Sequence, residues 1–159
     1  MLLFVVGQVA QSQTKTISNT RGDYEVTIPR KWKSRDNGQA LRVEAPYRRK
    51  DGGQTGLNIS TASAMGMNVE ECYDEFIIKG FPDAFEDLKF VESSEMEIQG
   101  LKAKSVICTY REELALQSQI TILVKDDILY MFIGITTPKV FDEYVEAFTE
   151  ISKSIRFLK

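Results

Sequence analysis

The sequence predicts an α+β domain, an antiparallel β-sheet of six to seven strands packed with two main helices. Three observations carry this. From Gly22 onward, short runs alternate apolar and polar residues, the period of a half-buried strand. Two longer segments, 65–81 and 136–157, repeat their apolar residues at i, i+3, i+4 and i+7, as a helix with one buried face does. Four further strand-like runs are joined in pairs by two-residue turns, which predicts hairpins.

The chain of 159 residues opens on Leu2, Leu3, Phe4, Val5 and Val6. This apolar run is too short to cross a bilayer, which takes roughly 20 residues. A secretory signal combines a positive start, an apolar stretch and small residues before the cut. Here the apolar stretch is present, but the first positive charge is Lys15, on the far side of it. Residues 1–20 are therefore expected to be a truncated signal peptide followed by a tether, and 21–159 a single domain. The competing expectation is an N-terminal strand buried on both faces, because five consecutive apolar residues show no alternation.

DYEVTIP places Tyr24, Val26 and Ile28 on one face of a strand that Pro29 closes. RKWKSRDNG is expected as a polar turn holding Trp32, the single tryptophan. ALRVEAP gives a strand with Leu41, Val43 and Ala45 inward, YRRKDGGQTG a loop, and GLNISTAS another strand. The first helix starts at Asn68, with Glu71 three residues on, as a capping box requires. Its apolar stripe is Val69, Cys72, Tyr73, Phe76 and Ile77, and Gly80 and Pro82 end it.

Strands are expected over 89–98, 101–111, 116–125 and 128–136, with Gln99-Gly100 and Asp126-Asp127 as the tight connections. ILYMFIGI is apolar on both faces, the mark of a central strand covered on two sides. In the last helix Thr137 caps, Pro138 suits the first position, and Val140, Phe141, Tyr144, Val145, Phe148, Ile151 and Ile155 line the buried face.

Composition removes several kinds of chemistry. The sequence holds no histidine, so no Ser-His-Asp or Cys-His arrangement and no imidazole zinc site can be built from it. Cys72 and Cys108 cannot complete a metal site alone and are not spaced as a redox pair. They are expected as buried free thiols, with a bridge as the alternative under export. No metal site and no cofactor is expected. An enzyme would have to work with carboxylates or lysine.

The net charge of −3 is unevenly placed. Residues 21–50 carry nine Lys/Arg against four Asp/Glu, whereas 51–159 are strongly acidic. An acidic whole argues against nucleic acid as a partner, but a local cationic surface remains. Its candidate residues are Arg30, Lys31, Lys33 and Arg35 around Trp32, then Arg48, Arg49 and Lys50 beside Asp51-Gly52-Gly53. Two such loops flanking one short strand would lie at the same end of a sheet, where arginine forks suit carboxylate or phosphate. The plainer alternative is a pair of solvated turns with Trp32 as a core anchor. DGGQTG lacks the following Gly-Lys-Ser/Thr and precedes a strand, so it is not a phosphate loop.

The order of motifs resembles the PsbP-like α/β/α sandwich superfamily, which takes in Mog-type Ran-binding factors and bacterial exported proteins of the DcrB type. The residues that carry the resemblance are Tyr24, Val26, Ile28, Pro29 and Trp32, then Ile98, Gly100 and Leu101, then Leu129-Tyr130-Met131 leading into Thr136-Thr137-Pro138. Phe141, Tyr144 and Ser154-Ile155-Arg156-Phe157 complete it, over roughly 22–157. The resemblance implies the fold and a non-enzymatic binding or accessory protein whose partner is another protein, and the apolar start favours the exported (periplasmic or secreted) branch. The basic segment, read from its own charge, gives the expected site for an anionic partner surface as Arg30, Trp32, Lys33, Arg48, Arg49 and Lys50, and no integral membrane span is expected. The alternatives are a cytoplasmic partner-binding factor of the Mog type and a carboxylate- or lysine-based enzyme.

Overall fold

The computed structural model describes residues 13–46 and 55–159. The apolar opening run, and with it the expected signal peptide, lies outside the described residues. Among the described residues ten strands form two sheets. The larger is built from β3 (Lys33–Asp36), β4 (Ala40–Glu44), β5 (Gly56–Ser63), β6 (Glu86–Ile98), β7 (Leu101–Arg111), β8 (Ala115–Lys125) and β9 (Ile128–Thr136). Its order is β3-β4-β5-β9-β8-β7-β6, antiparallel throughout. The smaller sheet sets β2 (Tyr24–Pro29) between β1 (Thr14–Ser18) and β10 (Arg156–Phe157).

The expected antiparallel α/β/α sandwich is present, and each layer follows from side-chain period. On one face of the large sheet, α1 (Val69–Cys72) and the wider π-helical turns Tyr73–Lys79 bury Val69, Cys72, Tyr73 and Ile77. These pack on Val106, Cys108 and Tyr110 of β7 and on Ile120 and Ile122 of β8. On the opposite face, α3 (Phe141–Lys153) and β2 close over Leu41, Val43, Leu57, Ile59, Tyr130 and Phe132. Strand β9 serves both cores, with Leu129 in one and Tyr130 and Phe132 in the other, as its unbroken apolar run predicts.

Asn68 accepts from the Glu71 N–H while Glu71 accepts from the Asn68 N–H, both at 2.9 Å, which is the capping box read in the sequence. The two predicted hairpin turns have positive φ at both central residues: 52° and 75° at Gln99-Gly100, 52° and 61° at Asp126-Asp127. That geometry matches the right-handed twist of the flanking strands. Cys72 and Cys108 are buried free thiols in one core, and burial pushes the Cys108 thiol up to about 11. Among the described residues no helix is long and apolar enough to cross a membrane.

Four local expectations are corrected. The stretch expected as a tether carries β1, whose Ile17 packs against the core and pairs with Val26. DYEVTIP pairs with β1 and β10 in the small sheet, not with the large one. RKWKSRDNG is not all turn, because its second half is strand β3, drawn out by pairing with β4. The first helix does not stop at Gly80 but resumes as the short α2 (Phe81–Ala84), where Pro82 sits in the first turn and needs no N–H partner.

Candidate functional site

Arg30, Trp32 and Lys33 of the expected basic surface lie where β2 hands over to β3. A tight turn joins Pro29 to Trp32, whose N–H donates to the Pro29 carbonyl at 3.0 Å, and the Arg30 N–H donates to the Gln13 carbonyl at 2.7 Å. Trp32 turns inward and is 7% exposed. Its ring meets Tyr144 at 6.2 Å and Phe148 edge-on at 6.4 Å, both from α3. Trp32 is therefore packed as a core anchor. Arg30, Lys31, Lys33 and Arg35 all stay exposed around it.

Register decides which of these cations act together. Strand β3 pairs Lys33 with Glu44, Ser34 with Val43, Arg35 with Arg42 and Asp36 with Leu41. Leu41 and Val43 point into the α3-side core, so the alternating residues Lys33, Arg35, Arg42 and Glu44 project from the other face. The first helix packs over β7 and β8 on that face, leaving β3 and β4 at the open end of the sheet. Arg42 is tied to Glu44 by an ion pair of 2.7 Å. Among the described residues Arg30, Lys31, Lys33 and Arg35 make no ion pair.

Arg48, Arg49 and Lys50 lie outside the described residues, but the roots of their connection are placed. The Ala45 N–H donates to the Thr55 carbonyl at 3.0 Å, and the buried Thr55 hydroxyl bonds that of Thr136 at 2.7 Å. Glu44 pairs with both Lys33 and Gly56, so the Pro29–Trp32 turn and the roots of the connection share one end of the sheet. Arg42 was not among the sequence candidates. The alternation that put Leu41 and Val43 inward already put it outward, but only the β3 pairing sets it beside Arg35.

The opposite end of the sheet holds a shallow cleft lined by Arg21, Asp23, Lys125, Asp126, Tyr130 and Lys159, which the sequence did not suggest. Its charges largely satisfy one another. Lys159 Nζ sits 3.1 Å from Asp23 Oδ1, a bond that holds the Asp23 carboxyl below its usual range, and Lys125 Nζ sits 2.5 Å from Asp126 Oδ2. Burial pushes the Tyr24, Tyr110 and Tyr130 hydroxyls upward, as expected of phenols set into the two cores. The Asp126-Asp127 and Glu112-Glu113 pairs are solvent-exposed at turns, as their positions predict.

No protein-family model and no curated protein sequence matches the chain. Solved structures do. The cyanobacterial PsbP of Synechocystis superposes with a TM-score of 0.64 at 13% identity, covering 98% of each chain. The Ran-binding protein Mog1p of Saccharomyces cerevisiae gives 0.67 at 7% identity over 92% of this chain and 96% of its own. LpqN of Mycobacterium tuberculosis, involved in cell envelope biogenesis, gives 0.65 at 7% over 98% of each. At these identities the likeness is one of fold, extending over nearly the whole of each chain. The chain has the PsbP/Mog-like α/β/α fold.

Proposed function

We propose that this protein is a non-catalytic, exported binding or accessory protein that docks an anionic surface of a partner protein on its β3 edge. The observation that carries the reading is the anchoring of Trp32. Sunk between Tyr144 and Phe148, it holds the turn on the rigid α3 while Arg30, Lys31, Lys33 and Arg35 stand in solvent without acidic partners among the described residues. Fixed cations at a sheet edge steer an anionic partner and set its register. Arg48, Arg49 and Lys50 belong by sequence to the connection whose roots lie beside Lys33. The Ran-binding activity of Mog1p, a protein of the same fold, supports protein binding as a use of this architecture, by analogy of fold.

The test is a cross-linking pull-down from the native compartment with the wild-type chain and with Lys33→Glu/Arg35→Glu. Both positions are exposed, so folding is retained and the melting temperature stays within about 1–2 °C, because surface changes of this kind stay within about 0.5 kcal/mol. Recovery of the partner is expected to fall at least about tenfold, and the wild-type interaction to weaken at high salt. A partner recovered equally by both forms moves the binding surface elsewhere.

Export rests on the apolar run Leu2–Val6. Strand β1 begins at Thr14, so a cut between Ala10 and Gln13 would leave every described strand intact. N-terminal sequencing of the mature protein is expected to read a start in that interval. A mature start at Met1 would instead overturn the export reading.

A further inference from the structure

The seven-stranded sheet ends on two unlike edges. One is β3, four residues long and basic. The other is β6, whose 13 residues make it the longest strand, and whose outward side pairs with no strand among the described residues. An unpaired edge of that length presents a row of backbone donors and acceptors to any extended chain.

Two irregularities bend the start of β6. One falls between Glu86 and Lys89. The other leaves Val91 as an extra residue between Phe90, opposite Cys108, and Glu92, opposite Ile107. From Glu92 to Ile98 the pairing with β7 is unbroken, so seven consecutive residues form a regular open edge. At its head stand two exposed apolar side chains, Val91 at 60% and Phe90 at 38%. Along it lie Glu92, Glu95 and Glu97. Glu95 is engaged by Lys102 and Lys104 at 3.4 and 3.8 Å, whereas Glu92 and Glu97 have no cation partner among the described residues. The whole strand carries five acids against one lysine.

We propose that the β6 edge binds an extended basic segment of a partner protein by strand addition, with one lysine or arginine on each face of the segment, against Glu92 on one side of the sheet and Glu97 on the other, and an apolar residue against Phe90 and Val91. Charge selects this occupant. A second β6 laid on the first would set carboxylates against carboxylates, which is unfavourable across a strand pair. The basic β3 edge of a second copy offers only four residues. A basic extended segment can satisfy the full regular length, its backbone bonds supplying affinity and its alternate side chains supplying selectivity. This site is separate from the cationic β3 edge, so each can fail without the other.

The test follows amide hydrogen exchange in the full chain with a synthetic valine-rich peptide whose two lysines stand five residues apart, one on each face of the added strand. Expected are slowed exchange confined to Glu92–Ile98, an affinity that falls at high salt, and at least a tenfold loss in Glu92→Lys/Glu97→Lys. Val91→Lys, which leaves both glutamates in place, is expected to weaken the same peptide and serves if the double variant does not fold. The same peptide with proline at its centre should give no protection, since it cannot complete the ladder. Protection elsewhere, protection unchanged in the variants, or sedimentation showing that the β6 edge is already occupied by a second copy would each overturn the proposal.

Discussion

Gly134→Ala is expected to cost about 1–3 kcal/mol, because the added methyl has nowhere to go. A Cβ built at Gly134 would lie 2.4 Å from Cγ and Cδ2 of Phe148, far inside contact distance. The Phe148 ring rests flat on this gap in β9 and is wholly buried. It cannot step aside cheaply, since Trp32 and Tyr144 flank it at 6.4 and 6.5 Å. For a domain of this size that cost corresponds to a fall of roughly 2–12 °C in melting temperature. Adding Phe148→Leu to Gly134→Ala should recover part of the loss, because the smaller side chain makes room. The pair should therefore be non-additive by at least about 0.5 kcal/mol in a double-mutant cycle. Additive effects would show that α3 does not sit on β9 through this contact.

Trp32→Ala should cost more, about 3–5 kcal/mol, in the range for emptying an aromatic site in a packed core. That is a large share of the roughly 5–15 kcal/mol that holds a typical domain together. The change removes the ring that ties the Pro29–Trp32 turn to Tyr144 and Phe148. Trp32→Phe keeps part of that contact and should cost less. The readouts are chemical denaturation and, for the wild type, the fluorescence of its single tryptophan, which should be blue-shifted when folded and move to the red on unfolding. A red emission maximum in the native protein would mean that Trp32 faces water and would return it to the binding surface.

Much of the architecture was legible because side-chain period is a local property. The stretches Tyr24–Pro29, Ala40–Glu44, Gly56–Ser63, Leu101–Arg111 and Ile128–Thr136 are strands within a residue or so of where alternation places them. The Asn68–Glu71 box and the Gln99-Gly100 and Asp126-Asp127 turns are equally local, since capping and positive φ are settled within four residues. The candidate site was legible only in part. Sequence collected Arg30, Lys31, Lys33 and Arg35 around Trp32 by proximity along the chain. Burial against α3, more than a hundred residues away, makes Trp32 the anchor of the turn, and pairing with β4 sets Arg42 beside Arg35.

What escaped the sequence has one physical origin. Strand β1 is polar on most of its length, β3 is KSRD, and β10 is two residues; none has the apolar alternation that announces a strand. They are strands because a neighbouring edge supplies backbone partners, and hydrogen bonding to a neighbour leaves no mark on a segment's own composition. The same reason separates the two sheets: Tyr24, Val26 and Ile28 declare an apolar face but not which strands will flank it. The sequence by itself determined the fold class, most element boundaries, the exclusion of histidine chemistry and the concentration of cations between residues 21 and 50. Only the tertiary structure decided that Lys33 and Arg35 share one open sheet face with Arg42, that Trp32 is buried against α3, and that a long acidic edge closes the far side of the sheet. Long-range pairing and burial make those choices, and both depend on residues that meet only once the chain has folded.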